Sequence, residues 1–188
     1  MLASLVAMIA VGVLPTSVAA AAPGAAEPEP GDIVLRRGNG LWSAFFAGLN
    51  RRDGRFSHVG VVVRDGTELK VAHAEADDNG MNGEVRLTGW RAFEAASRQL
   101  IVLRLHDRAA ADRVAEAALS LHAARPAFDL DFDLADAAAV YCSELAWRAL
   151  TIGLGRDPLP EKPLLGGRPV VLIENFLLDI PELRVVGP

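Results

Sequence analysis

The sequence predicts an α+β domain in which helices and short strands follow one another irregularly. Residues 57–64 (SHVGVVVR) are rich in β-branched side chains and precede an Asp-Gly turn signal, a pattern typical of one arm of a β-hairpin. Residues 109–123 place apolar side chains at helical spacing behind Asp107, which can cap a helix. Neither strict strand–helix–strand alternation nor an internal repeat is visible, so the pattern favours α+β over a parallel sheet.

The other elements follow from periodicity and from flanking turn residues. Asn39 and Thr88 are expected to cap helices, and Pro169 suits the start of a helix over residues 170–178. Residues 128–134 alternate apolar and acidic side chains, which indicates a strand or an extended loop. The remaining predicted helices are 41–49 and 141–152, and the remaining predicted strands are 32–36, 69–74, 84–87, 100–105 and 183–186.

The N-terminal residues are typical of an export signal. No charged residue precedes Glu27, and an apolar run over residues 2–14 is followed by small residues at 18–22. We therefore expect a signal peptide over 1–22, a Pro/Ala/Glu-rich linker over 23–30, and one folded domain over 31–188. The expected location is the periplasm or the exterior of a bacterial cell, with no stable membrane span after cleavage. An uncleaved N-terminal anchor is the alternative.

Charge and cysteine content exclude several classes of protein. The 188 residues carry a net charge of -5 with no basic run, which argues against nucleic acid and anionic membranes as partners. A single cysteine, Cys142, excludes an internal disulfide and a multi-cysteine zinc site. In an oxidising compartment, a lone cysteine is either buried and inert or retained for its chemistry.

Cys142 and His58 are the residues best suited to catalysis. Cys142 falls at the start of the predicted helix 141–152, where backbone N–H groups favour a thiolate with a pKa well below the free value of about 8.5. His58 begins the strongest strand, where a polar side chain needs a partner. Reflecting His58 about an Asp65-Gly66 turn points to residue 73, and a longer loop points to residue 75. The residues alone leave His73 and Glu75 open.

An ordered set of short motifs carries a resemblance to a known family. The set runs Gly31-Asp32-Ile33-Val34, Ser57-His58-Val59-Gly60, Ala74-Glu75-Ala76, Phe128-Asp129 and Tyr141-Cys142-Ser143-Glu144-Leu145 with Trp147. It resembles the YiiX/YaeF-type permuted papain-like amidases of the NlpC superfamily, over residues 31–186. In the ordinary papain-like order the cysteine precedes the histidine. Here His58 precedes Cys142, as a circular permutation of that fold implies.

The resemblance implies a fold and a set of roles. The fold would be a circularly permuted papain-like fold, with a small antiparallel sheet packed against helices. Cys142 would be the nucleophile, His58 the general base and Glu75 the residue that orients His58, with no metal or cofactor. The candidates for the oxyanion hole or the substrate pocket are Tyr141, Ser57, His73 and Asp129.

Together these points predict an exported cysteine hydrolase that cleaves an amide or ester through a thioester. The expected substrate is a peptide-like or acylated molecule. Cell-wall peptides, including peptidoglycan fragments, are the first expectation. A lipid or acyl-ester hydrolase or acyltransferase on the same triad is the second. A different class stays open: His58, His73, Glu75 and Cys142 carry ligand types that zinc accepts, so a metal-binding or inactive ligand-binding module is the rival.

Overall fold

The computed structural model describes residues 27–77 and 82–187, and within them it is a mixed α+β structure, as the sequence predicts. The described helices are α1 (Gly40–Leu49), α2 (Trp90–Ala95), α3 (Arg108–Ala123), α4 (Cys142–Leu154) and α5 (Asn175–Leu178). The described strands are β1 (Ile33–Arg37), β2 (His58–Asp65), β3 (Glu68–Ala76), β4 (Gly83–Gly89), β5 (Gln99–Leu105), β6 (Ala127–Phe128), β7 (Ala139–Val140), β8 (Leu164–Leu165), β9 (Arg168–Pro169) and β10 (Leu183–Gly187).

Eight of these strands form one curled sheet, in the order β10-β5-β1-β2-β3-β4-β6-β7. The pairs are antiparallel except for β6 and β7, which run parallel. The expectation of a small antiparallel sheet is therefore wrong in size, because β1 joins both β2 and β5 and so extends the β2–β3 hairpin on one side. The register that matters most for the site pairs Arg36 on β1 with His58 on β2.

The β2–β3 hairpin turns one position later than the Asp-Gly signal predicts. Asp65 pairs with Glu68, so Gly66 and Thr67 form the turn, and Gly66 takes a φ of 61°. A glycine at the first turn position accepts this backbone without strain. The pairing runs from Asp65–Glu68 to Val61–Ala72. Continued to the start of β2, this wider register places His58 opposite Glu75, with His73 as its diagonal neighbour on the same face.

The two faces of the sheet bury different sets of side chains. Val59, Val61 and Val63 belong to the main core, which also contains the apolar faces of α3 and α4. The opposite face has a smaller apolar cluster in which Trp90 and Phe93 of α2 cover the sheet. Because side chains alternate along a strand, His58 lies on the α2 side and its neighbour Val59 on the α4 side.

Three local predictions are wrong. Thr88 does not cap a helix; it lies in β4, and Gly89 precedes α2. The helix expected over 170–178 is reduced to Asn175–Leu178, because Val170 to Ile173 are buried outside any helix and the Val171 backbone bonds to Tyr141 and Ser143. Of residues 128–134, Phe128 alone continues a strand, and Phe132 takes a positive φ of 53°.

The segment before β1 is tied to the domain. Glu29 bonds to Arg104 and Arg108, and the buried Asp32 carboxylate accepts from Arg104 and from the Glu29 N–H. The signal-peptide prediction, the first half of the predicted linker (residues 23–26) and residues 78–81 lie outside the described residues. Among the helices that the structure describes, none has the length and apolar character needed to cross a membrane.

Candidate functional site

Cys142 is the first residue of α4, as the sequence predicts, and it is 3% exposed. The helix begins here because Tyr141 is extended, with φ −100° and ψ 170°, and its N–H donates to the carboxylate of Glu144, 3.3 Å away. The first N–H groups of a helix have no partner inside the helix, so they are available to a negative charge next to Cys142.

Tyr141 and Ser143, the residues on either side of Cys142, both form hydrogen bonds with the backbone of Val171. The Ser143 hydroxyl donates to the Val171 carbonyl at 2.8 Å, and the Val171 N–H donates to the Tyr141 hydroxyl at 2.9 Å. All three residues are buried. These bonds fix the start of α4 against a second part of the chain, so the position of the Cys142 sulfur is defined on both sides.

His58 is bonded to a second histidine. Its Nε2 lies 2.8 Å from Nδ1 of His73, and Nε2 of His73 lies 2.8 Å from the Thr88 hydroxyl. The ring of Phe93 packs against both imidazoles, with centroids 6.1 Å and 5.3 Å away. Gly60 is needed here, because a Cβ at that position would lie 3.2 Å from Cβ of His73 and would collide with Val71. The strands thus place three polar side chains in one hydrogen-bonded row.

Glu75 bonds to an arginine rather than to His58. Its Oε1 accepts from Nη2 of Arg36 at 2.8 Å, and its Oε2 lies 3.8 Å from Arg86. The guanidinium of Arg36 lies 4.2 Å above the Phe93 ring. The assignment of Glu75 as the orienting residue stays a prediction, and the 2.8 Å bond makes His73 the other candidate.

These side chains line one open cavity of about 720 Å³. Cys142 and His58 both border it, with Arg36, Glu75 and Arg86 on its wall. Cys142 also borders a much narrower apolar slot between α1 and the segment 170–173. Within the described chain no hydrogen bond joins the Cys142 sulfur to His58, so the predicted nucleophile and the predicted base share a cavity without a hydrogen bond between them. Such bonds are often loose in ligand-free enzymes and tighten around substrate.

Burial favours the neutral forms of the Cys142 thiol and the His58 imidazole. It raises the pKa of the Cys142 thiol to about 11, against a smaller lowering by the N–H groups of Val59 and Ser143. Burial, followed by the charges of His73 and Arg36, holds the pKa of His58 well below 6.5. Burial also lowers the pKa of His73 to about 3. The expected low-pKa thiolate is therefore wrong for the ligand-free protein, because desolvation outweighs the helix N-terminus.

The same residues form a possible metal-ligand set. One ligand atom each from His58, His73 and Glu75 lie within 4.8 Å of one another. Cys142, the fourth ligand that the sequence suggested, is not part of this group.

The remaining predicted pocket residues have structural partners. The Ser57 hydroxyl borders the cavity but is bonded to Ser43 at 2.7 Å and to the Gly38 N–H at 3.1 Å. Tyr141 borders the apolar slot, and burial raises its pKa. Asp129 is buried, and its carboxylate accepts the N–H groups of Asp131 and Asp133.

Sequence reasoning missed Arg36, Thr88 and Phe93 as parts of the site. Arg36 follows Val34 by two positions on the α2 side of β1, and a cation on such a buried strand face is a signal that sequence alone offers. Thr88 contacts His73 because β4 pairs with β3, and Phe93 contacts it because α2 packs on the sheet. Local sequence patterns predict neither contact.

No protein-family model matches the chain, and no curated protein matches it. Among solved structures, the crystal structure of the metalloprotein yiiX from Escherichia coli O157:H7, of DUF1105, matches with a TM-score of 0.65 and 21% identity. The match covers 85% of this chain and 97% of that one. At this identity the likeness establishes the fold, and the chain has a YiiX-like fold.

Proposed function

We propose that this protein is a cysteine hydrolase that cleaves an amide or ester by acyl transfer through a thioester on Cys142. The observation that carries the proposal is the shared cavity: Cys142 at the start of α4 and a hydrogen-bonded His58 border the same open space. The residue order and the motifs point to the family of circularly permuted papain-like enzymes. The YiiX-like fold supports this reading only at the level of architecture.

The histidine row supplies a proton path. If His73 donates from Nε2 to the Thr88 hydroxyl, its Nδ1 accepts from Nε2–H of His58. The Nδ1 of neutral His58 then carries the free lone pair and serves as the base. It takes the thiol proton as Cys142 attacks the carbonyl and gives that proton to the amine or alcohol that leaves as the thioester forms. It then removes a proton from the water that hydrolyses the thioester and releases the acid and the free thiol. A neutral thiol–imidazole pair suits this path, since the proton moves during attack rather than before it.

His73 is the residue we assign to orienting His58, because it makes the direct bond. Glu75 bonds to Arg36, which is the strand partner of His58, and so we assign it an indirect effect on His58. The N–H groups at the start of α4, including that of Cys142, have no partner inside the helix and are suited to stabilise the oxyanion of the tetrahedral intermediate.

For substrate, we propose a peptide-like or acylated molecule outside the cytoplasm, with cell-wall peptides first. Hydrolysis assays on peptidoglycan fragments and on p-nitrophenyl esters test this directly. Cys142→Ala should abolish turnover, while His106→Gln, which alters an exposed histidine, should leave it unchanged. Equal activity of wild type and a folded Cys142→Ala variant would overturn the proposal.

A metal site at His58, His73 and Glu75 is the second candidate. The 4.8 Å cluster favours it, and the matching yiiX structure is described as a metalloprotein. Two features of this chain oppose it. The 2.8 Å between the histidine nitrogens is a hydrogen-bond length, shorter than the separation of about 3.3 Å that two nitrogens take on one tetrahedral zinc. Arg36 also places a positive charge 2.8 Å from Glu75.

Metal analysis separates the two candidates. The cysteine hydrolase account expects a purified sample without stoichiometric zinc and a melting temperature that does not change with a chelator. Stoichiometric zinc, lost together in His58→Gln and His73→Gln but kept in Cys142→Ala, would favour the metal site.

A further inference from the structure

Arg36 is a buried cation on the wall of the cavity. Its side chain is 11% exposed, and it borders the same space as Cys142 and His58. Its strand pairs it directly with His58, and the Phe93 ring supports its guanidinium from below. The orientation of the group is therefore fixed by packing before any substrate arrives.

The hydrogen-bonding capacity of this guanidinium is not filled. Arginine has five N–H donors. Nη2 donates to Glu75, but the buried Nε–H finds no acceptor among the residues that the structure describes. A buried donor without an acceptor is unfavourable, so a further acceptor within its reach would be stabilising. Burial lowers the pKa of Arg36, with Glu75 opposing it, which is the direction expected of a cation short of partners.

We propose that Arg36 recognises a carboxylate on the substrate, placed next to the acyl carbonyl that Cys142 attacks. The inference rests on the proposed function and narrows its substrate to acidic acyl or peptide groups. The planar fork of arginine matches a carboxylate, and Glu75 already fills part of that fork in the ligand-free protein. Arg86 adds a second positive charge beside Glu75.

Two acidic residues on the cavity wall oppose an incoming anion. Glu75 is matched by the two arginines. Asp77 accepts the Asn82 N–H at 3.3 Å. A substrate carboxylate would therefore compete with Glu75 for Arg36, and removal of the Glu75 charge should strengthen its binding.

The test compares two alkylating reagents at one pH, iodoacetate and iodoacetamide. Each forms a bond from the Cys142 sulfur to its CH2 carbon as iodide leaves, and the thiol proton is lost. Cys142 is the single cysteine, so labelling reports one site. Both reagents consume the same thiolate, so the ratio of their rates reports the preference for a carboxylate alone. N-acetylcysteine gives the reference ratio.

We expect the wild-type ratio to exceed the reference by roughly tenfold, the effect of one charged hydrogen bond. Arg36→Gln should bring the ratio to the reference or below, Arg36→Lys should retain part of it, and Glu75→Gln should raise it. Arg91→Gln removes the same charge from an 82% exposed side chain and should keep the wild-type ratio.

An unchanged ratio in folded Arg36→Gln would overturn this inference while leaving the proposed function standing. If Arg36→Gln does not fold, a ratio that fails to rise in Glu75→Gln overturns it. Labelling of wild type by neither reagent before denaturation would overturn the proposed function and the inference together.

Discussion

The two faces of the central sheet differ in the side chains that they bury: one is apolar, and the other carries hydrogen-bonded polar groups. On the α4 side, Val59 and Cys142 lie in a continuous apolar core. On the α2 side, His58, His73 and Arg36 pack around Phe93, with a hydrogen bond between the two histidines and another from Arg36 to Glu75. The proposed nucleophile therefore lies on the apolar side of the sheet and the proposed base on the polar side. In the proposed mechanism the two groups act together only at the cavity that both border.

Among substitutions on the polar face, removal of the proposed base should have the largest effect. His58→Gln keeps a hydrogen-bonding side chain but cannot accept the thiol proton, so we expect activity to fall by about 10²- to 10⁴-fold. Ester and peptidoglycan-fragment hydrolysis measures it. His106→Gln is the matched control. Wild-type rates in folded His58→Gln would show that His58 is not the base for Cys142.

The next effect separates the two candidates for orienting His58. His73→Phe removes the direct bond to His58, and we expect a loss of roughly 10- to 100-fold. Glu75→Gln removes the negative charge that pairs with Arg36 and should cost less activity on a neutral ester. The family resemblance predicts the reverse order. Hydrolysis rates with melting curves decide, and a folded, fully active His73→Phe would return the role to Glu75.

The polar face should also govern stability between about pH 5 and 6. His58 and His73 have folded pKa values below 6.5, so the unfolded state binds more protons and each contributes stability that is lost as pH falls below 6.5. Glu144, whose pKa burial raises to about 7, contributes in the opposite direction. Since one proton corresponds to about 1.4 kcal/mol per pH unit, wild type should lose roughly that amount per unit of acidification.

Denaturant unfolding across this range checks the sum. His73→Phe should flatten the pH dependence, since one histidine then balances Glu144. Glu144→Gln should steepen it to about 2.7 kcal/mol per pH unit. An identical slope in all three proteins would show that these buried groups do not titrate on unfolding as described.

The smallest effect belongs to the end of the histidine row. Thr88→Val keeps the shape of the side chain but leaves Nε2 of His73 without its partner, which should cost about 1–3 kcal/mol of stability. Activity should fall by less than in His73→Phe, because the bond to His58 remains. Urea unfolding measures the first quantity and ester hydrolysis the second. A larger catalytic loss than in His73→Phe would contradict the order of the row.

Local sequence signals predicted the elements better than the site. The β-branched run of β2, the Asp107 cap of α3 and the start of α4 at Cys142 depend on neighbouring residues, and each is observed; Asp107 accepts the Ala109 N–H at 2.9 Å. The helix from Pro169 failed because the backbone N–H and carbonyl of Val171 bond to the side chains of Tyr141 and Ser143, far away in sequence.

The site itself depends on contacts that sequence does not carry. His58 and Cys142 were found because their residue types suit nucleophilic catalysis. The bond to His73 depends on how the rings pack against Phe93, and the raised pKa of Cys142 depends on burial. Arg36 was missed because its importance comes from β1 lying beside β2.

The most direct test of the account is the mass of the intact protein after rapid mixing with p-nitrophenyl acetate and an acid quench. The account predicts the transient gain of one acetyl group, located by peptide mapping on Cys142 and absent from Cys142→Ala. Ester cleavage by wild type with no acetyl group on Cys142, or with equal acetylation in Cys142→Ala, would contradict it.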